Sequence, residues 1–220
     1  MPFFSEIVND HGSICIWQLT ENAEELLDGL VLSANDAQRF SQLRSPRRKT
    51  EFLASRRLLQ RVFGSATKIE YQQHGKPFLS PPKAQISISH SNDFAVLFLS
   101  QKNIGVDIER ENRNIDHVCQ RFLHPNELAS LNTLQNKQRA KIVYWSAKEA
   151  IFKCSATNGI SFQQQIRIDA FNPDSEQSFT AQLIEPQKTT HFELHSLFFE
   201  NNVLVYCVEQ ENQKKHAKKL

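Results

Sequence analysis

The sequence lacks three features that would each point to a different class of protein. It has no excess of basic residues: 26 Lys and Arg stand against 24 Asp and Glu, and the net charge of +2 does not favour a general nucleic-acid binder. It has no apolar run long enough to cross a bilayer, and its first residues do not show the basic and then apolar order of a secretory signal. We therefore expect neither a nucleic-acid partner nor a membrane partner.

Closely spaced cysteines are the third missing feature. The four cysteines lie far apart in the chain and form no CxxC pair. Such spacing does not favour a zinc site or a disulfide framework, and free thiols are typical of a reducing compartment. We therefore expect a cytoplasmic protein. Basic residues do cluster in segment 44–61 and in the tail 214–220, and the tail is typical of a solvated chain end.

The first half of the chain predicts helices followed by paired strands. A strand candidate, SICIWQL, precedes a polar helical stretch, and the apolar residues of the basic segment 44–61 recur at helical spacing up to Gly64. After a region punctuated by Gly and Pro, the alternating QISISH and the apolar FAVLFLS indicate two paired strands.

The second half repeats this order. A strand, GVDIER, leads through a loop to a short helix near HPNELASL and then to a longer helix, NKQRAKIVYWSAKEAIFK. Four strand candidates follow: QIRIDAF, FTAQLIE, HFELHSLFF and NVLVYCVE. The 220 residues suffice for two such units. We therefore expect an α+β fold in which two similar halves, residues 1–102 and 103–220, are related by a pseudo-twofold arrangement with the active site between them.

The strand GVDIER carries two carboxylates where a strand would usually be apolar. Side chains alternate along a strand, so Asp107 and Glu109 share one face while the apolar residues point to the other. Two like charges on one face repel each other unless solvent, a cation or a raised pKa relieves them. The sequence alone leaves these three explanations open.

The helix segment WSAKEAIFK adds a carboxylate and an amine. At helical spacing, Trp145, Glu149 and Lys153 lie along one face, with Lys148 beside it. Taken alone, this is typical of an ordinary surface pair beside a core tryptophan. Beside the GVDIER strand, however, Glu149 would be a third oxygen donor for a hard cation such as Mg²⁺, and Lys153 could meet a phosphate held there. The residues therefore suggest Mg²⁺-assisted phosphoryl transfer.

Five motifs in one order resemble a known family, the Sfp-type 4′-phosphopantetheinyl transferases. They are HGKPFL, SISHS, GVDIE, FLHPNE and WSAKEAIFK, spanning residues 74–153. The length and the two-part organisation are similar to the double-sized members of that family. The resemblance implies the 4′-phosphopantetheinyl transferase fold and a holo-[acyl-carrier-protein] synthase reaction, in which phosphopantetheine passes from coenzyme A to a serine of an apo acyl or peptidyl carrier protein and adenosine 3′,5′-bisphosphate is released.

The resemblance also implies roles for individual residues. Asp107, Glu109 and Glu149 match the carboxylates that bind Mg²⁺, which in turn holds the coenzyme A pyrophosphate. Glu149, directly or through a water on the metal, is the expected general base for the carrier serine. Lys153 would stabilise charge on the phosphate. Asp107, Glu149 and Lys153 are therefore the expected catalytic residues.

A further set is expected to contact coenzyme A. Ser89 and His90 match family residues at the 3′-phosphate end, and Lys76 of the HGKP turn would serve the same end. Arg47 and Arg48 precede the basic helix roughly where the family carries a phosphate-binding arginine. Lys148, Lys153 and Asp107 complete the expected coenzyme A site. One departure is ATNGISF, where the family often has a G-x-G-L turn, and it affects the expected carrier contacts more than the chemistry.

Two other functions remain open from the sequence. A Mg²⁺-dependent nuclease could use the same carboxylates and lysine, although it should also carry a continuous basic track. A non-catalytic module that binds carrier protein or coenzyme A would use the carboxylates only structurally. The sequence does not identify the carrier, whether for fatty-acid, polyketide or non-ribosomal peptide synthesis, and two halves in one chain favour a monomer.

Overall fold

The first hundred residues form six strands and three helices. The computed structural model describes residues 2–211, so the basic tail 214–220 lies outside the described residues. The elements in chain order are β1 (Phe3–Asn9), β2 (Gly12–Gln18), α1 (Ala23–Leu27), α2 (Ala34–Gln42), α3 (Pro46–Phe63), β3 (Lys68–Tyr71), β4 (Pro77–Ser80), β5 (Gln85–His90) and β6 (Phe94–Ser100).

The rest of the described chain forms five strands and three helices. The elements are β7 (Ile104–Arg110), α4 (Asp116–Phe122), α5 (Pro125–Thr133), α6 (Lys137–Ser155), β8 (Ile166–Ile168), β9 (Ser178–Glu185), β10 (Lys188–Phe199) and β11 (Asn202–Glu209). The α+β fold expected from the sequence is confirmed. Strands β1, β3 and β4 and helix α4 were not predicted, and α4 lies where a loop was expected.

The first sheet is antiparallel, with the strand order β1-β2-β6-β5, and α3 packs against it. Helix α3 begins where Ser45 accepts a hydrogen bond from the Arg48 amide and Pro46 occupies the first turn. It ends at Gly64, whose positive φ of 74° suits glycine. The buried residues Leu53, Leu58 and Leu59 face the sheet, which leaves the basic residues at the start of α3 on the surface.

The second sheet has the order β7-β11-β10-β9-β8, again antiparallel, and α6 packs against it. Asn136 caps the start of α6, and Ala156 ends the helix in a left-handed conformation with φ of 53°. Gly105 on β7 lies so close to α6 that an added Cβ would collide with the Ala150 carbonyl oxygen. Strand and helix are therefore in close contact beside Asp107.

The two sheets share a strand order and pack against each other. The series β2-β6-β5 in the first sheet corresponds to β7-β11-β10 in the second, with a long helix following the first strand of each series. This recurrence is what two similar halves predict. A shared apolar layer that includes Ile14, Val96, Val106 and Leu204 lies between the sheets. Residue 102 lies in the turn between β6 and β7, and the boundary expected there stays a prediction.

At the junction, edge strands β5 and β7 meet through side chains. The Ser87 hydroxyl accepts a hydrogen bond from the Val106 amide at 3.0 Å, and the Ser89 hydroxyl accepts one from the Ile108 amide at 3.2 Å. Alternation along β5 explains why both serines point the same way. The contact brings the end of β5 beside Asp107. Within residues 2–211, no helix combines the length and the apolar character that a membrane crossing requires.

Candidate active site

Asp107 and Glu109 of β7 lie in the same region as Glu149 and Lys153 of α6. Asp107 and Glu109 lie on the β7 face that packs against α6, while Val106 and Ile108 belong to the apolar layer between the sheets. The structure therefore brings the carboxylates together on one face, as the alternation predicted.

Asp107 is the centre of a small polar network. Its Oδ1 accepts hydrogen bonds from the Ser89 hydroxyl at 2.9 Å and from Lys153 Nζ at 2.8 Å. Lys153 also donates to the Ser89 hydroxyl at 2.9 Å and to the Val106 carbonyl at 3.0 Å. The Asp107 side chain is only 8% exposed, and its other oxygen, Oδ2, is buried without a hydrogen-bond partner. A buried carboxylate oxygen without a donor indicates that the network is incomplete.

The two glutamates are held in the same region with raised pKa values. Burial, then the negative charge of Asp107, raises the pKa of Glu109 to about 7. Its Oε1 accepts a hydrogen bond from Trp145 Nε1 at 3.2 Å and pairs with Arg113. Burial and Asp107 also raise the pKa of Glu149, and the positive charge of Lys153 opposes this shift. A nearby cation would relieve the repulsion that Asp107 imposes on both groups.

The carboxylate oxygens fit a hard cation in chemistry but are not closely gathered. Within the described residues, the donor atoms of Asp107, Glu109 and Glu149 do not all lie within 4.8 Å of one another. Oδ1 of Asp107 is bonded to Lys153, and Glu109 is held by Trp145 and Arg113. The free Oδ2 of Asp107 and the two glutamates remain an all-oxygen donor set of the type that Mg²⁺ prefers.

Basic residues line one side of a cleft that borders this site, and Arg47, Arg48, His90 and Arg113 are here called the basic wall. An open cleft of about 630 Å³ is lined by Arg47, Arg48, His90, Glu109 and Arg113, among others. Arg48 Nη1 lies 3.3 Å from His90 Nε2, and His90 Nδ1 lies 3.3 Å from Glu51 Oε1. Burial lowers the pKa of His90. The negative charge of Glu51 opposes this shift, and the positive charges of Arg48 and Lys153 add to it. His90 is therefore favoured as a neutral ring between an arginine and a carboxylate.

Glu51 holds residues of the basic wall in place, although it was not predicted as a site residue. Glu51 on α3 is 3% exposed and accepts a hydrogen bond from Arg47 Nε at 2.7 Å. Its spacing from Arg47, four residues along a helix, was the available indication. Arg113 was missed as well, because it lies in the loop after β7 and no periodicity connects it with Glu109.

Lys76 joins the expected site from a different side. It lies in a second, smaller cavity of about 280 Å³ that His90 and Lys153 also line. Lys76 Nζ donates to Asn103 Oδ1 at 2.8 Å and to the Cys154 carbonyl at 2.7 Å. The latter is near the end of α6, where a positive charge is favourable. Of the expected residues, Ser89, His90, Lys76, Asp107 and Lys153 therefore lie close together.

Lys148 does not lie with them, which corrects the expectation that it contacts coenzyme A. Its side chain is fully buried, and Nζ donates to the carbonyls of Phe122 and Phe162 at 2.8 Å and of Ile166 at 2.9 Å. Nζ also lies 2.7 Å from Glu127 Oε2. An ammonium has three donors, so none remains for a ligand. Lys148 therefore links α6 to α4, α5, β8 and the loop at Phe162.

Parts of the chain are similar to known proteins. The model of the 4′-phosphopantetheinyl transferase superfamily matches residues 103–208. The 4′-phosphopantetheinyl transferase HetI of Nostoc sp. is 28% identical over 172 residues, which cover 70% of this chain and 72% of that protein. A 4′-phosphopantetheinyl transferase of Bacillus subtilis is 32% identical over 104 residues, covering 46% of this chain and 44% of that protein.

Among solved structures, the Thermotoga maritima holo-[acyl-carrier-protein] synthase, AcpS, aligns with a TM-score of 0.35 and 16% identity. The alignment covers 50% of this chain and 63% of that one. The family match contains β7, α6 and the two motifs that supply Asp107, Glu109, Glu149 and Lys153. Segment 103–208 of this chain belongs to the 4′-phosphopantetheinyl transferase superfamily.

Proposed function

We propose that this protein transfers the 4′-phosphopantetheine group from coenzyme A to a serine of an apo acyl or peptidyl carrier protein. The observation that carries the proposal is the incomplete network around Asp107. One of its oxygens is bonded to Lys153 and Ser89, while the other is buried without a partner beside two further carboxylates. Membership of the superfamily supports the same reaction.

Mg²⁺ fits this site as the proposed cofactor, held by Asp107, Glu109 and Glu149. Bound there, Mg²⁺ would neutralise pyrophosphate charge and polarise the phosphoryl oxygens. Burial, and then the negative charge of Asp107, raise the pKa values of Glu109 and Glu149, which supports a need for positive charge at this position. The all-oxygen character of the set favours a hard cation over a softer metal.

The proposed chemistry moves one phosphoryl group and one proton. The carrier serine oxygen attacks the phosphorus that bears the pantetheine arm, and the phosphorus–oxygen bond to adenosine 3′,5′-bisphosphate breaks. Glu149 accepts the serine proton, a role suited to a carboxylate with a raised pKa. Lys153, held by Asp107 and the Val106 carbonyl, contributes a fixed positive charge for the phosphate as the bond breaks.

The basic wall is proposed to bind the adenosine 3′-phosphate end of coenzyme A. The side chains of Arg47 and Arg48 are 56% and 64% exposed, so their guanidinium groups can reach a ligand in the cleft. Glu51 aligns both with His90, and arginine binds phosphate through paired donors. Ser89 and Lys76 are proposed to complete this contact from the β5 side.

The remaining parts of the proposal concern setting and partners. We propose a cytoplasmic monomer, and the four cysteines, which are free and buried, are compatible with a reducing compartment. The carriers can belong to fatty-acid, polyketide or non-ribosomal peptide synthesis. The proposal includes neither a nucleic-acid nor a membrane partner.

Intact-mass spectrometry tests the proposed reaction. Several apo carrier proteins are incubated with this protein, coenzyme A and Mg²⁺, beside a chelator control and an Asp107→Asn variant. A gain of one phosphopantetheine on a carrier serine, lost with the chelator and with Asp107→Asn, is the expected result. The matched variant Asp116→Asn changes an aspartate on exposed α4 and should retain activity. No gain on any carrier, together with no binding of coenzyme A, would overturn the proposal.

A further inference from the structure

Two histidines and a glutamate lie close together on the face of the second sheet that is opposite to Asp107. His11 lies in the turn between β1 and β2, and Glu193 and His195 lie two residues apart on β10. One ligand atom from each of the three lies within 4.8 Å of the others. The group, here called the His11 cluster, therefore joins a turn of the first sheet to a strand of the second.

The distances within the His11 cluster are close to those between two ligands of one metal ion. Glu193 Oε1 lies 3.2 Å from His195 Nε2 and 3.9 Å from His11 Nε2. Ligands around a tetrahedral zinc ion lie about 3.3 Å apart. His195 Nε2 is buried and makes no hydrogen bond, although Glu193 Oε1 is close to it. Its lone pair is therefore available to a metal.

Surrounding groups fix the orientation of His195. The Ser178 hydroxyl lies 2.9 Å from Nδ1, so a proton on Nδ1 can be donated to that hydroxyl and Nε2 is left unprotonated. The ring stacks on Tyr206 with centroids 4.8 Å apart and an interplanar angle of 17°, and the His11 ring centroid is 4.7 Å away. Such outer partners orient metal-binding histidines.

The β1–β2 turn brings His11 into position. The His11 amide donates to Asn9 Oδ1 at 2.9 Å, a local bond that favours a tight turn. Gly12 has a φ of 141° and packs so closely on β6 that an added Cβ would collide with the Leu99 carbonyl oxygen. A side chain at this position would force the turn away from β6. The constrained backbone of this turn therefore fixes the position of His11.

The His11 cluster is separate from the carboxylates of the candidate active site. His195 pairs with Tyr206, which pairs with Val106, so all three point to the face opposite Asp107. Strand β10 is two strands away from β7, a spacing of about 9–10 Å. Nothing proposed for coenzyme A requires these residues.

We infer that His11, Glu193 and His195 bind a divalent transition metal ion of the Zn²⁺ type, which links the β1–β2 turn to β10. Two imidazole nitrogens with one carboxylate oxygen are a donor set that suits Zn²⁺ and not Mg²⁺. His11 and His195 are 17% and 16% exposed and Glu193 is 39% exposed, so an ion can enter from solvent.

Titration of the full chain with Zn²⁺ tests this inference. The protein is freed of metal with a chelator, dialysed, and titrated calorimetrically without coenzyme A or carrier. One Zn²⁺ per chain is expected for the wild type and for Asp107→Asn, and His195→Ala should weaken binding by about 100-fold or more. The control His117→Ala removes an exposed histidine from α4 and should not change the titration. Equal Zn²⁺ binding by the wild type and His195→Ala, no binding by either, or loss of the bound ion in Asp107→Asn would overturn the inference.

A spectroscopic titration with Co²⁺ provides an independent readout. Tetrahedral Co²⁺ with nitrogen ligands absorbs in the visible range, and that absorption should appear in the wild type and be absent from His11→Ala. Ser178→Ala, which keeps all three ligands, should weaken Zn²⁺ binding by about tenfold. Circular dichroism establishes that each variant is folded. An unchanged spectrum in folded His11→Ala would exclude His11 as a ligand.

Discussion

Lys148 and Lys153 lie five residues apart on α6. The hydrogen-bond network around Lys148 is complete, and the network around Lys153 is not. Lys148 is fully buried, with every donor bonded, and its partner Glu127 accepts from the His124 and Ile168 amides at 2.7 and 2.9 Å. Lys153 is 28% exposed and bonded to Asp107, whose second oxygen has no partner. The complete network stabilises the fold, and the incomplete one retains capacity for a ligand.

The largest effect on activity is expected at Asp107. Asp107→Asn should reduce phosphopantetheine transfer by about 10³-fold or more, because it removes a charge from the proposed metal and phosphate site. The protein should stay folded, since Lys153 can reach solvent. Transfer is measured by intact mass, and folding by circular dichroism. Full turnover in Asp107→Asn would remove Asp107 from the proposed chemistry.

Lys148 provides the converse test. Lys148→Met should lower the free energy of unfolding by about 3–5 kcal/mol, because Glu127 is left as a buried and uncompensated charge. Activity per folded molecule should change little. Urea denaturation measures the first quantity and transfer rates the second.

A control on the same helix is Lys141→Met. The ion pair between Lys141 and Asp116, which is 64% exposed, should be worth less than about 1 kcal/mol. If Lys148→Met and Lys141→Met were equally stable, the buried network would not stabilise the fold.

His90 tests the wall that borders the incomplete network. His90→Ala should raise the KM for coenzyme A by about tenfold, with little change in kcat, because the lost contact lies at the nucleotide end and not at the reacting phosphorus. Steady-state kinetics separate the two constants, and His117→Ala serves as the matched histidine control. A fall in kcat with an unchanged KM would assign His90 to the chemical step instead.

The smallest expected effect is on the pH profile. Because burial and Asp107 raise the pKa of Glu109 to about 7, this carboxyl is protonated below that pH and charged above it. If the charged form is required, kcat/KM should rise about twofold between pH 7 and pH 8. Glu109→Gln should remove that inflection from its residual activity. A wild-type profile that is flat between pH 6 and pH 8 would contradict this assignment.

The regular elements with strong periodicity were predictable from sequence. The strand GVDIER and the helix of WSAKEAIFK formed where expected, because alternation and helical spacing depend on neighbouring residues. Strand β1 was missed because its side chains, from Phe3 onward, are only partly covered at the edge of the sheet. Helix α4 was missed because it is seven residues long and Ile115 at its start provides no capping side chain.

The site was predictable only in part. The sequence shows Lys148 and Lys153 as two similar lysines, and burial of the first depends on carbonyls from Phe122, Phe162 and Ile166. Glu127 is 21 residues from Lys148 in the chain, so no local pattern connects them. Likewise, Glu51 acquires its role only when β5 brings His90 to α3. Such pairings arise from tertiary packing, which a single sequence does not encode in short-range spacing.

The serines of β5 have a consequence for association between molecules. An unpaired edge strand can add a strand from another chain, which is a common route to aggregation. Here the two edges at the junction face each other, and the hydroxyls of Ser87 and Ser89 occupy amide donors of β7 that a foreign strand would otherwise use. The contact that brings β5 to Asp107 therefore also protects two of the four edges of the two main sheets from unwanted pairing, and leaves β1 and β8 as the edges open to it.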